Sequence, residues 1–178
     1  IVPASTSFES CIVNGMSASH RNSPYANSGI IVEIRPDDLP QSDALAGLRF
    51  QEYTEHLAWQ HGHANSIAPA QRLIDFVYGK YSNTLPTCSY LPGTMSSRMD
   101  EWLPKQIGPY LRQGFKAFDK KYPGYLTSQA LIVGVESRSS SPIRILRDPI
   151  TRVSVNTPNL YPCGEGAGYA GGITSSAM

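Results

Sequence analysis

The spacing of apolar residues changes period twice along this chain, and that limits its architecture more than any single motif. From Ser42 onward, Leu45, Leu48, Tyr53, Leu57 and Trp59 spread through a charged stretch that breaks at Gly62. This is the spacing of an amphipathic helix, with Ser42 or Asp43 placed to cap it. A second short helix is predicted after Pro69, where Leu73, Ile74, Phe76 and Val77 are apolar and Gly79 supplies the stop. A third helical region is predicted from about Ser96 to Lys121, interrupted near Gly108-Pro109 because proline removes an internal hydrogen bond. On both sides of this block the pattern is β-like. Cys11-Ile12-Val13 leads into the turn dipeptide Asn14-Gly15, and Gly29 to Ile34 is β-branched and apolar. After the helices come LIVGVES from Leu131 and then PIRIL, separated by the serine cluster Ser137 to Ser141.

The order strands, helices, strands predicts an α+β or α/β fragment in which a helical insert stands apart between β-containing flanks that meet in space. The expected boundaries are a β-rich segment over 1–41, the helical insert over 42–126 and returning strands over 127–178. A chain of 178 residues, 40% hydrophobic, has enough apolar content for one ordinary domain or two small ones. A net charge of +1 with mixed signs leaves no electrostatic footprint for nucleic acid or an acidic membrane surface. No apolar run is long enough to span a bilayer. Cys11, Cys88 and Cys163 are scattered and odd in number, which argues against a disulfide framework and fits an intracellular, reducing compartment. That leaves cytoplasm or an organelle, a plastid included. A start at Ile1 suggests an excised or processed piece.

Candidate chemistry is sparse. His61-Gly62-His63, with His56 five positions before His61, matches no common metal-site spacing and has no nearby cysteine, so no metal site is expected. A helix C-terminal turn explains those histidines better. No G-x-S-x-G is present, and Ser139 to Ser141 have no evident local base. In GVESRSSSPIRILRD, by contrast, Glu136, Arg138, Arg144 and Arg147 alternate with apolar or small residues, and arginine's planar fork suits phosphate or carboxylate. A surface strand with salt-bridged charges is the competing account.

The chain ends in LYPCGEGAGYAGGITSSAM. Gly164, Gly166, Gly168, Gly171 and Gly172 bracket the single carboxylate Glu165, and Ile173 to Met178 open a helix. Glycines at this density permit positive φ and close approach to a bound group, and a helix start offers unpaired N–H donors. The stretch is not G-x-G-x-x-G within a βαβ unit, and no such fingerprint occurs earlier in the chain. By pattern alone a flexible tail or tight turn remains an equal alternative.

Read jointly, NGMS, ANSGIIVEI, FQEYTEHLA, APAQRLIDF, GVESRSSSPIRILRD and LYPCGEGAGYAGGITSSAM resemble, in order, the C-terminal part of a family of uncharacterised FAD-dependent dehydrogenases. The specific motifs are G-V-E-[ST]-R-[ST]-S-S-P-[VI]-R-I and Y-P-x-G-E-G-A-G-Y-A-G-G-I, and both are matched. The resemblance implies a parent of several hundred residues whose N-terminal part holds the Rossmann βαβ. The terminal turn would then be the second half of a split FAD site, and the β-rich segments would belong to a substrate domain. Gly164, Glu165, Gly166, Gly168, Tyr169, Ala170, Gly171, Gly172 and Ile173 would contact FAD, with Glu165 at the ribityl chain and the N–H groups of Gly171, Gly172 and Ile173 near the flavin. Glu136, Arg138 and Arg144 would be the catalytic candidates, the arginines for an anionic substrate or the FAD pyrophosphate and Glu136 as orienter or proton carrier.

The implied partners are FAD, a small substrate for which an anionic group is one candidate, and the missing N-terminal Rossmann half. NAD(P) use and the oligomeric state stay open. The implied activity is that of an FAD-dependent oxidoreductase, and the isolated fragment is expected to be inert. The alternative is a non-catalytic scaffold or interaction module on a flavin-binding fold.

Overall fold

The computed structural model describes residues 1–4, 7–40 and 42–177. It is a small mixed α+β structure divided into two compact units, Ile1–Asp38 with Glu52–Ser137, and Leu39–Gln51 with Arg138–Met178. The helix α1 (Ala46–His61) begins in the second unit and ends in the first.

In the first unit β1 (Val2–Pro3) pairs antiparallel with β2 (Val13–Asn14). A mixed sheet has β3 (Ala68–Arg72) at its centre, parallel to β4 (Thr94–Ser96) and antiparallel to β5 (Leu131–Val133). Pro69 sits in this central strand without an N–H to donate, and it is tolerated because it lies where the β5 ladder ends. There its carbonyl accepts from Gly134 N–H at 3.1 Å. Arg72 at the other end of β3 ties two loops to the sheet, donating from Nε to the Thr84 carbonyl at 2.7 Å and from Nη1 to the Ser128 carbonyl.

Three helices pack beside this sheet. In α2 (Leu73–Tyr78) Leu73, Phe76 and Val77 are buried, and Gly79 ends the helix at φ 66°, with Lys80 N–H returning to the Asp75 carbonyl at 2.8 Å. The short α3 (Met99–Trp102) buries Met99. Pro109 opens α4 (Gly108–Lys121), where no hydrogen bond is lost, and Lys120 and Lys121 close it against the negative end of the helix dipole. Phe76 meets Phe115 of α4 edge-to-face at 6.1 Å, and Phe115, Phe118 and Tyr125 continue the aromatic cluster. Beneath it Gln71 and Asp100 are buried: Gln71 Nε2 donates to the Lys80 carbonyl and to Asp100, whose carboxylate also takes two bonds from Arg98.

Several predicted elements differ. The segment expected to be a helical insert contains β3 and β4, which are short, with Pro69 inside β3. The strand predicted over Gly29 to Ile34 pairs with nothing among the described residues, and Ile31 is 68% exposed, because no neighbouring strand offers it a ladder. LIVGVES forms a ladder only over Leu131–Val133.

In the second unit Asp43 caps the start of α1 as expected, accepting from Leu45 N–H at 2.9 Å and pairing with Arg49. Those two interactions hold its carboxyl below the ordinary aspartate value, the Leu45 N–H bond contributing most. PIRIL forms no strand. Its end turns back at Asp148, whose carboxylate accepts from Ile150 and Thr151 N–H, so that Arg147 and Ser154 face each other across one isolated bridge. The apolar run Leu160 to Cys163 is likewise irregular, with the Leu160 carbonyl accepting from Ser154 N–H at 2.7 Å. The predicted helix start is present as α5 (Ile173–Ala177); Met178 lies outside the described residues.

Candidate functional site

Within the second unit the glycine-rich turn closes on itself. Gly168 N–H donates to the Glu165 carbonyl at 2.9 Å and Tyr169 N–H to the Gly164 carbonyl at 3.1 Å. Gly164 and Gly168 adopt φ of 73° and 81°, which only glycine reaches without strain. At Gly168 a Cβ would also stand 2.6 Å from the Ile143 carbonyl oxygen, so the turn lies directly against the backbone of the arginine segment. Ile145 N–H donates to the Ala167 carbonyl at 3.1 Å, and Ser141 Oγ donates to the Gly166 carbonyl at 3.2 Å. The serine-arginine segment and the terminal turn, separate in the sequence, therefore form one built surface.

Two of its glycines have no such duty. A Cβ added to Gly166 or Gly171 would meet nothing within 4 Å, and neither residue has a positive φ. The fold of the unit does not require glycine at either position. Glu165, next to Gly166, is half-buried, and among the described residues its carboxylate takes part in no hydrogen bond or ion pair. Gly172 has φ 115°, and its carbonyl accepts from Ser176 N–H at 3.0 Å in the first turn of α5. Ala170 is half-buried beside it.

Tyr169 carries the arginines. Its hydroxyl donates to the Ile145 carbonyl at 2.8 Å, which pins the ring. The Arg144 guanidinium carbon lies 4.5 Å from the ring centroid and that of Arg147 lies 3.7 Å from it. Arg147 also donates from Nη1 to the Pro162 carbonyl, and its Nε is buried without a hydrogen-bond partner among the described residues. Sequence reasoning placed Arg144 and Tyr169 at the site and named Arg147 in the same segment without carrying it among the candidates. The signal available was the three-residue spacing of Arg144 and Arg147, which becomes meaningful only once the ring between them is known.

The other candidates stand elsewhere. Glu136 belongs to the first unit, is exposed, and comes so near Gly29 that a Cβ there would lie 3.3 Å from Oε2. Arg138 belongs to the second unit and is exposed. Two of the histidines have structural partners: His61 stacks on Trp102 at 4.9 Å and 8°, with burial lowering its pKa, and His56 is bonded to the Glu9 carbonyl and Gln60. Among the described residues no three His, Cys, Asp or Glu side chains converge as metal ligands. No described helix is long and apolar enough to cross a membrane.

Comparison with known proteins bears on this arrangement. A family model described as "FAD-dependent protein, C-terminal domain-like" matches residues 1–139. The chain belongs to this family. The FAD-dependent C-terminal match takes in every strand of both sheets together with Glu136 and Arg138, and ends before Arg144 and the terminal turn. A protein of Clostridium beijerinckii described as uncharacterized is 39% identical over 181 residues, an alignment that covers all of this chain and 34% of the relative. The chain thus spans about a third of the length of that curated relative.

Proposed function

We propose that the chain is the C-terminal portion of an FAD-dependent oxidoreductase and contributes the second half of a split FAD site through the turn Gly164 to Ile173. The observation that carries this reading is the pair Gly166 and Gly171, glycines whose missing side chains face open space and whose backbone needs no glycine. Glu165, next to Gly166, fits a group offering hydroxyl donors, such as a ribityl chain, since its carboxylate is half-buried and unused among the described residues. Gly171, Gly172 and Ile173 would bring backbone N–H groups to the flavin. FAD, the sole cofactor proposed, would accept a hydride from a donor and pass its electrons to an acceptor. The chain's own part is to hold the cofactor, to exclude water from it and to orient a substrate.

In this reading the remainder of the parent supplies the Rossmann half, which binds the pyrophosphate at its first βα turn. The apolar side chains that the second unit exposes, Leu146, Ile150 and Val155 among them, are surface for that remainder to cover. Residues 42–126 are proposed as the insert that shapes access, and Glu136 and Arg138 as candidate catalytic groups. The isolated fragment is expected to be inert.

The test is the visible absorbance of the full-length parent, purified with and without added FAD, beside its Glu165→Ala and Gly171→Val variants. The expected result is near-stoichiometric flavin in the wild type and weak flavin in both variants, with unchanged far-ultraviolet circular dichroism. Absence of flavin from the wild type even after FAD is added would overturn the reading and leave a scaffold.

A further inference from the structure

We infer that Arg144 and Arg147, mounted on the Tyr169 ring, form an anion site for the carboxylate or phosphate group of the substrate. This names the substrate class for the flavoenzyme proposed above and rests on that reading.

The geometry is that of a site with its counter-charge supplied from outside. Two guanidinium groups share one aromatic ring, with guanidinium carbons 4.5 and 3.7 Å from its centroid. Neither forms an ion pair with any described carboxylate, whereas Arg35, Arg49 and Arg98 each have an acidic partner. Like charges gathered on one ring repel, and the ring's quadrupole offsets only part of that cost. An anion taking paired N–H bonds from the open planar fork of Arg144 would offset the remainder.

The two arginines are held differently, which divides their work. Arg147 is fixed: Nη1 donates to the Pro162 carbonyl, its Nε is buried without a partner among the described residues, and the ring backs its plane. Arg144 is exposed, and its guanidinium forms no hydrogen bond among the described residues, so its donors are open to a ligand. The platform itself is rigid, with the Tyr169 hydroxyl bonded to the Ile145 carbonyl, Tyr169 N–H to the Gly164 carbonyl and Ile145 N–H to the Ala167 carbonyl. The ring is part of the turn proposed to hold FAD, so an anion here lies beside that turn. The FAD pyrophosphate is assigned to the Rossmann half, which leaves this pair for the substrate.

The experiment is calorimetric titration of the full-length parent with oxalate and with inorganic phosphate at fixed ionic strength, flavin content being measured spectroscopically in the same samples. The wild type is expected to bind at least one probe saturably, and Arg144→Gln to weaken that binding tenfold or more. Arg144→Lys, which keeps the charge without the planar fork, is expected to recover part of it. Flavin content should be unchanged in both variants, since Arg144 is assigned to substrate. Flavin-loaded wild type that binds neither probe, or binding that Arg144→Gln leaves intact, would overturn the anion site and leave the flavin reading standing. Loss of flavin in Arg144→Gln would also overturn it, by reassigning the pair to the cofactor. Flavin-free protein with Arg144-dependent probe binding would support the anion site and overturn the flavin reading alone.

Discussion

Gly168 and Gly171 stand three residues apart in one turn, yet alanine should act oppositely at the two positions. At Gly168 the backbone has φ 81° and the new Cβ would lie 2.6 Å from the Ile143 carbonyl oxygen and 3.0 Å from the Arg144 Cα, both backbone atoms that cannot swing aside. Forcing an L-residue into the left-handed region costs roughly 1–2 kcal/mol and relieving such an overlap costs ~1 kcal/mol or more, a sum of about 2–3 kcal/mol. At Gly171 the Cβ meets nothing within 4 Å and φ is not positive, so alanine should be neutral or stabilising by a few tenths of a kcal/mol, through the unfolded chain. A local measurement separates them: amide hydrogen exchange at Ile145, whose N–H is bonded to the Ala167 carbonyl at 3.1 Å. In the regime where exchange follows local opening, about 2–3 kcal/mol corresponds to roughly 30- to 150-fold faster exchange in Gly168→Ala, with no acceleration in Gly171→Ala. Unchanged Ile145 protection in Gly168→Ala would refute the close packing of the turn on the arginine segment. Equal acceleration in both variants would refute the distinction between a glycine the fold needs and one it does not.

Two further expectations concern the first unit. The Asp100 side chain is 3% exposed; burial by itself would raise its pKa, but the bonds from Arg98 and Gln71 and the Arg98 charge more than reverse this and hold it below the usual aspartate value. Its contribution is therefore present above the unfolded value near 3.9 and lost as pH falls through the lower folded value. Asp100→Asn should cost about 1–3 kcal/mol at neutral pH, below the loss expected for a fully buried pair because Arg98 is partly exposed. Urea unfolding from pH 7 downward should show the difference between wild type and variant shrinking below pH ~4, and a pH-independent difference would contradict the assignment. The Tyr90 hydroxyl donates to the Ser66 carbonyl at 2.9 Å, and burial first, with the Cys11 charge second, pushes its pKa up to about 12. Its stabilising share is complete below the ordinary tyrosine value near 10 and is lost as pH rises towards the folded value. Ultraviolet titration of wild type against Tyr90→Phe should assign the missing component to that high range, and a component near 10 would show the ring to be exposed.

Local signals in the sequence carried the helices well. The αL stop at Gly79, the Asp43 cap and the start of α4 at Pro109 depend on backbone conformation and nearest neighbours, so the residues announce them. Strands were less legible, because a strand exists only where another offers its hydrogen bonds. Ala68–Arg72, with a proline and a glutamine, became the central strand since Thr94–Ser96 and Leu131–Val133 flank it, while the more β-like Gly29 to Ile34 has no ladder among the described residues.

The candidate site divides the same way. By itself the sequence determined the glycine density, the single Glu165 and the arginine-serine segment, since motif and composition are properties of the chain. Only the tertiary structure decided which glycines the fold uses and which it leaves open, and that Arg144 and Arg147 meet over Tyr169. Those facts depend on the approach of Ile143 to Gly168, 25 positions apart in the chain, which no local preference encodes.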